Sequence, residues 1–365
     1  MAKSKKTEDS PEIPDIKSAV SGAIKKSSSF DLSKFKKGKN LQNNSNFKKQ
    51  EWIPLSDAFN KAIGLPGLPK GHISMARGKS DTGKSTIFNE AVISAQKLGI
   101  LPVLIITEMK FSMDHLIEMG FKANLVVDEE TGEVIYEGDF IYVDRSSVKS
   151  IEDVAAFIAD ILDEQKKGNL PRELFIAWDS VGSLPCEMSL SAGKNNPMWN
   201  AGSMSMQFGN FINQFFPLSR KKESKYTNTL FVVQKVGVDY QIGVPGAKPR
   251  RTNAHGDAMF WDATLVVSLG NVTNSGTSKI QATKDKKTVT FAKRTKIAVD
   301  KNHITNATTE GKIIMTTHGF IEDSPYALDK YKKAHRHEWV ETLGEGEYET
   351  VQEPDIEEAS IESID

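Results

Sequence analysis

Between Trp52 and about residue 320 the chain alternates short apolar runs with amphipathic stretches. His72–Met75, Leu101–Ile106, Phe140–Val143, Leu174–Trp178, Leu230–Val233, Thr264–Ser268, Lys296–Val299 and Lys312–Met315 read as buried strands. Leu125–Val127 and Val134–Tyr136, joined across Thr131-Gly132, predict a hairpin. Residues 151–167 predict a helix. Ile151, Val154, Ala155, Ile158, Ile161 and Leu162 fall on one face, and Lys166, Lys167 and Gly168 supply stop signals. Strands separated by helices predict an α/β fold, with a mostly parallel twisted sheet flanked by helices and right-handed crossovers. No internal repeat is visible.

The ends differ from the middle. Residues 1–50 hold 12 lysines against 5 acids, a net +7, with many Ser and Asn and few large apolar side chains. They read as a flexible basic arm whose one apolar island, Phe30–Phe35, suits either a docking segment for a neighbouring subunit or a local turn. Residues 341–365 hold 10 acids and no Lys or Arg, which predicts a disordered acidic tail. Such ends are either plain solvated extensions, or an arm near a polyanion and a tail that competes with it for positive surface. The expected organisation is arm 1–50, core 51–320, a short extension 321–340, and tail 341–365. A single cysteine, Cys186, excludes a disulfide framework and a Cys-rich zinc ribbon. No run of 18 apolar residues and no apolar segment behind the N-terminus predict a chain without membrane span or secretory signal, which suits the cytoplasm.

Residues 78–85, Gly78-Lys79-Ser80-Asp81-Thr82-Gly83-Lys84-Ser85, complete G-x-x-x-x-G-K-[ST] after an apolar strand and before a helix running from Thr86. Glycines let backbone N–H groups curl around phosphate oxygens, Lys84 suits the β and γ phosphates, and the Ser85 hydroxyl suits Mg²⁺. The helix behind presents its positive end to the anion. The implied cofactors are ATP and Mg²⁺. In a parallel sheet, sites gather at strand carboxyl ends. Glu108, Asp179 and Gln234 stand at such ends. Asp179 suits a second Mg²⁺ contact, or a plain helix cap. Glu108 suits orienting or deprotonating an attacking water, or is a surface acid. Gln234 suits contact with the γ-phosphate.

Two long segments, 185–203 and 235–257, carry no strong periodicity. Gly193, Lys194, Met198 and Trp199 lie in the first; Tyr240, Lys248, Arg250, Arg251 and His255 lie in the second. Cations beside exposed-type apolar residues suit single-stranded nucleic acid, where phosphates meet cations and bases meet flat or wedge-shaped side chains. Plain mobile loops are the alternative.

With these residues placed, the chain resembles the RecA family of strand-exchange recombinases over roughly residues 52–320. Ala62–Gly71 is similar to the family's lead-in, Thr107-Glu108 followed by Asp114–Gly120 to its glutamate and short helix, and Trp178–Val181 to its Asp-Ser element. Gln234 falls on its switch glutamine and His255–Met259 on the close of its second DNA loop. The phage-encoded UvsX-like branch is the nearest match in organisation. The resemblance implies a RecA-like ATPase core and a helical homo-oligomeric filament on single-stranded DNA. It implies pairing with double-stranded DNA, ATP between subunits, and work alongside a single-strand-binding protein and a loading mediator. It implies that Met198 or Trp199, and Tyr240 or Ile242, insert between bases while Lys194, Lys248, Arg250 and Arg251 meet phosphates. It places Lys301 and His303 as cations acting across the interface, and His115 as the adenine-stacking residue, with Thr86 closing the nucleotide loop. His303 departs from the family's usual Lys or Arg, and His115 from its usual aromatic. Rival readings are a hexameric helicase on the same core, which would carry a folded N-terminal domain, and a P-loop small-molecule kinase or non-catalytic nucleotide-binding scaffold, indifferent to DNA.

Overall fold

The computed structural model describes residues 46–127, 132, 134–209, 212–241 and 248–354. Residues 48–365 make one compact unit. Of the other, residues 1–47, only Asn46 and Phe47 are described, so nearly all of the basic arm lies outside the described residues.

The unit opens with a two-stranded ribbon, β1 (Trp52–Ile53) and β2 (Leu68–Pro69), around helix α1 (Asp57–Ile63). Ser56 caps α1 by accepting from the Phe59 N–H, and Gly64 closes it at φ +66°, a left-handed turn that suits glycine. Then come β3 (Ile73–Gly78), α2 (Lys84–Lys97), β4 (Leu101–Ile106) and α3 (Met113–Glu118). Next are the hairpin β5 (Asn124–Val127) with β6 (Val134–Glu137), and β7 (Ile141–Asp144). Helix α4 (Ile151–Lys167) has the predicted limits. Ser150 and Asp153 form a reciprocal capping box at its start, and Gly168 ends it at φ +90°. β8 (Leu174–Val181), α5 (Glu187–Ser191), α6 (Pro197–Met204), α7 (Phe215–Ser219), β9 (Thr229–Asp239), β10 (Arg250–Asn253), α8 (Ala258–Asp262) and β11 (Leu265–Leu269) follow. The chain continues through β12 (Ser278–Lys284), β13 (Lys287–Asn302), β14 (Glu310–Thr316), β15 (Gly319–Glu322), α9 (Pro325–Ala334), α10 (His337–Leu343) and β16 (Glu349–Gln352).

The main sheet runs β15-β14-β13-β11-β3-β9-β8-β4-β7. The stretch from β11 to β7 is parallel throughout. That stretch carries the expected parallel sheet, and the remaining strands extend it into a mixed one. β11 meets β13 antiparallel, and β13, β14 and β15 run antiparallel to one another. From β12 to β15 the chain connects strand to strand without a helix, and these short connections suit antiparallel return. Side-chain alternation along β8 splits the core. Phe175 and Ala177 pack on one side with α1, α2 and α3; Leu174, Ile176 and Trp178 pack on the other with α4.

The C-terminal expectation also changes. Residues 341–354 are not a bare tail: α10 reaches Leu343, and β16 pairs antiparallel with β12. Trp339, Leu343 and Tyr348 are buried against Phe291, Leu328 and Tyr331 in a third core. Apolar side chains spaced among the acids supply that burial. Residues 355–365 lie outside the described residues. Among the described residues no helix is long and apolar enough to cross a membrane.

Candidate nucleotide and nucleic-acid site

Register brings the site together. Gly78 at the end of β3 stands beside Lys235 on β9 and Leu269 on β11. Arg77 stands beside Gln234, Val233 beside Asp179, and Asp179 beside Ile106. The carboxyl ends of adjacent parallel strands therefore carry the glycine-rich loop, Gln234, Asp179 and, just past β4, Thr107-Glu108.

The loop is built for an anion. Gly83 begins α2 at φ +104° with no side-chain cap, so the first N–H groups of the helix face outward without an internal acceptor. A Cβ on Gly78 would meet the Leu269 carbonyl at 2.7 Å, so only glycine fits there. Thr82 donates to the Lys79 carbonyl at 2.9 Å, and the Lys84 ammonium donates to the same oxygen at 2.5 Å. Lys79 reaches the Thr273 carbonyl. Ser80, Asp81 and Ser85 are exposed, and Thr86 is half-buried. A cavity of about 450 Å³ lies between Lys79, Ser80, Lys235, Val236, Gly237 and Ser275.

The acids and Lys84 form one electrostatic group. Burial pushes the Asp179 carboxyl up to about 7; the Glu108 charge adds to the rise, and Lys84 and Lys235 oppose it. Burial alone would also raise Glu108. Hydrogen bonds from Ser180 and Lys235, with the charges of Lys235 and Lys84, outweigh that and hold it below its ordinary value. Ser180 donates to Glu108 at 2.5 Å and Lys235 lies 3.0 Å from it. Burial depresses Lys84, and Asp179 and Glu108 oppose the shift. The peptide between Asp179 and Ser180 is cis.

This donor set fits Mg²⁺ and a triphosphate. A buried carboxyl that burial drives towards neutrality is what a hard cation would re-ionise. Gln234 adds an orphan: its Oε1 is fully buried and finds no hydrogen-bond partner among the described residues, while its Nε2 donates to the Ala254 carbonyl at 2.6 Å.

Four contributors have no role in the sequence reading, though Thr107 and Ser180 lie within motifs quoted there. Lys235 directly follows Gln234 and pairs with Glu108; a cation at a strand end was the available signal. Thr107 accepts from the Trp178 indole at 3.0 Å and from the Ser180 N–H at 3.2 Å, fixing the turn that presents Glu108. Ser180 bonds Glu108 itself. Arg77 pairs with Asp300 at 2.6 Å, donates to Asn253 at 3.2 Å, and lies 4.5 Å above the Phe260 ring. Those long-range partners leave no local sequence signal.

The described residues of the two segments expected to lack structure, 185–203 and 235–241 with 248–257, include helices and strands. In the first, Asn196 caps α6 and Pro197 opens it. The side-chain Oδ1 of Asn200 accepts from the Cys186 N–H and the Ser189 hydroxyl, both at 2.9 Å. Met198 is 80 % exposed and Lys194 is exposed, while Trp199 is half-buried against the second core. In the second, β9 runs on to Asp239 and returns as β10, pairing Asp239 with Arg250 and Val236 with Asn253. Tyr240 is 51 % exposed, and Lys248 and Arg250 are exposed. Arg250 pairs with Asp239 at 2.9 Å. Arg251 turns inward, donating to the Gly270 carbonyl at 2.5 Å beside Asp300. Ile242 lies outside the described residues.

Three further residues that the resemblance singled out are His115, Lys301 and His303. His115 is on α3, its ring 3.7 Å from the Glu118 carboxylate. Lys301 donates to the carbonyls of Phe260 and Trp261 of its own chain, at 3.0 and 2.5 Å. Burial lowers its ammonium pKa, and Asp262 opposes that. His303 is exposed just past β13, its backbone N–H bonded to the Thr264 carbonyl at 2.9 Å.

No family model matches the chain. Sequence comparison does find relatives, each named Protein RecA. The chain is similar to RecA. The Kineococcus radiotolerans protein is 34% identical over 90 residues, 24% of this chain and 26% of its own length. That of Paenarthrobacter aurescens is 32% identical over 113 residues, 30% of this chain and 33% of its own. That of Chlorobaculum tepidum is 34% identical over 80 residues, 21% of this chain and 23% of its own. The matched part thus spans a quarter to a third of these relatives. Such partial similarity supports a place in the RecA family, and the large helix-flanked mixed sheet fits a RecA-like core.

Proposed function

We propose that the chain is a DNA-dependent ATPase of recombination. It assembles as a helical filament on single-stranded DNA and promotes homologous pairing and strand exchange with double-stranded DNA. The observation that carries this reading is a physical link. Gln234, on the floor of the acid–lysine cluster, holds the hairpin β9–β10 by the Ala254 carbonyl. Arg77, the residue directly before the glycine-rich loop, holds the same hairpin by Asn253. A change at the cluster is thereby felt where Tyr240, Lys248 and Arg250 are exposed.

ATP with Mg²⁺ supplies the transferable phosphoryl group and the charge that the loop neutralises when bound. Residues 78–86 and Lys84 would hold the phosphates; Ser85 and Asp179 would hold the metal. Glu108, ionised and oriented by Ser180, is the group that aligns a water and accepts its proton. Lys235 would release Glu108 for that role. Met198, Tyr240 and the exposed Lys194, Lys248 and Arg250 are the surface offered to DNA; Trp199 and Arg251 would act by supporting it. Lys301 and His303 would act across a subunit boundary only after Lys301 exchanges its own-chain carbonyl partners. His115 would contact the base. Within the family, the phage UvsX-like branch is the proposed subfamily.

The deciding experiment measures ATP hydrolysis with and without single-stranded DNA, with electron microscopy of the same samples. DNA-stimulated turnover and helical filaments are expected. Turnover blind to DNA on a monomeric protein would overturn the proposal, and rings would move it to a helicase.

A further inference from the structure

Far along the chain from the nucleotide cluster, three side chains from three separate elements converge. His318 sits in the turn between β14 and β15, His335 closes α9, and Glu338 lies in the first turn of α10. His318 Nε2 lies 2.7 Å and His335 Nδ1 2.8 Å from the same oxygen, Glu338 Oε1. All three donor atoms fall within 4.8 Å of one another. The two imidazoles stack, with centroids 4.0 Å apart and planes 21° apart, and Tyr331 stacks on His335 at 4.4 Å.

We propose that His318, His335 and Glu338 form a binding site for a borderline divalent cation such as Zn²⁺. Two imidazole nitrogens and one carboxylate oxygen are a donor set of that chemistry. Bonds of about 2.1 Å in a tetrahedral shell put ligand atoms about 3.4 Å apart. Each imidazole nitrogen needs to move only about 0.6 Å further from Glu338 Oε1 to admit the ion. The backbone already holds the three in place. The His318 N–H donates to Thr316 Oγ1 at 3.2 Å, the His335 N–H to the Tyr331 carbonyl at 3.0 Å, and the Glu338 N–H to the His335 carbonyl at 3.1 Å. The three side chains are 25 to 34 % exposed, so an ion can enter and water can take the fourth position. The bound ion ties α9 and α10 to the β14–β15 turn. That turn leads directly to Phe320, whose N–H donates at 2.7 Å to Glu90 on α2, the helix behind the glycine-rich loop.

The test is titration of the EDTA-treated full chain with zinc chloride by calorimetry, without nucleotide, paired with the absorption spectrum of the Co²⁺ form. One equivalent is expected to bind at the triad. His318→Ala and His335→Ala should each weaken that binding at least about tenfold, with melting in EDTA near that of the parent. Ring-nitrogen NMR of the unsubstituted chain needs no variant. Zn²⁺ should shift His318 Nε2 and His335 Nδ1 before any other histidine nitrogen. Absence of binding, affinity unchanged in the double variant, or shifts confined to other histidines would each overturn the site. Binding by Glu108 and Asp179 alone would show itself by surviving both substitutions.

Discussion

Asp179 is the residue on which the nucleotide site turns. Its carboxyl titrates near 7 in the folded chain against an ordinary 3.8. Between those values the folded protein keeps a proton that the unfolded chain releases. The contribution of Asp179 to the stability of the ligand-free protein therefore falls as pH rises from about 4 to 7 and levels above that. Asp179→Asn should remove this slope and stabilise the ligand-free protein at pH 8 by about 1–3 kcal/mol, with little gain at pH 4. Urea unfolding at the two pH values checks it. An equal gain at both would mean the burial cost is not one of charge. The same variant should lose Mg²⁺-dependent hydrolysis. Glu108→Gln should keep ATP binding while hydrolysis falls roughly 10²- to 10⁴-fold; normal turnover in the presence of DNA would remove Glu108 from the mechanism. Glu108, Asp179 and Gln234 are legible in the sequence because each stands at the end of an apolar run. The roles of Lys235, Ser180, Thr107 and Arg77 are not, because what they do depends on which strand lies alongside.

At the scale of elements, local signals and long-range pairing part company. α4 is readable to its limits because Ser150, Asp153 and Gly168 write its start and stop beside the helix itself. Ser150→Ala should cost about 1 kcal/mol in urea unfolding without touching nucleotide binding. The hairpin β9–β10 reads as a loop in the sequence, because Gly237 on one arm and four polar residues on the other conceal a ladder held by backbone bonds, by Arg77, and by Gln234 bonding across to Ala254. Gln234→Ala removes the 2.6 Å bond to Ala254. A cost of about 1 kcal/mol in stability is expected. More telling is DNA affinity. The ratio of the dissociation constant without nucleotide to that with nucleotide should fall towards one. A ratio as large as the parent's would show that the hairpin is governed by another route.

At the scale of the molecule, the acidic end poses the sharpest question, because charge and packing divide within it. Composition suggests one tail from residue 341, yet Leu343 and Tyr348 are buried and β16 extends the sheet through β12. The acids around Leu343 and Tyr348, among them Glu341, Glu345, Glu347 and Glu349, hide in the composition the few apolar residues that anchor this end. Two truncations separate the parts. A chain ending at residue 354 loses five acids but none of the third core; its melting temperature should match the parent's. A chain ending at residue 340 loses Leu343, Tyr348 and β16, and should lose about 2–5 kcal/mol, several degrees of melting temperature. The DNA comparison belongs to the first truncation, where the fold is intact. If the terminal acids compete with DNA for the cations of this surface, that chain should bind single-stranded DNA more tightly at about 0.05 M salt. The advantage should fade by about 0.5 M, as screening removes the competitor and the phosphate contacts together. Fluorescence anisotropy across that salt range decides it, and parallel curves for the two chains would leave the terminal acids without influence on DNA.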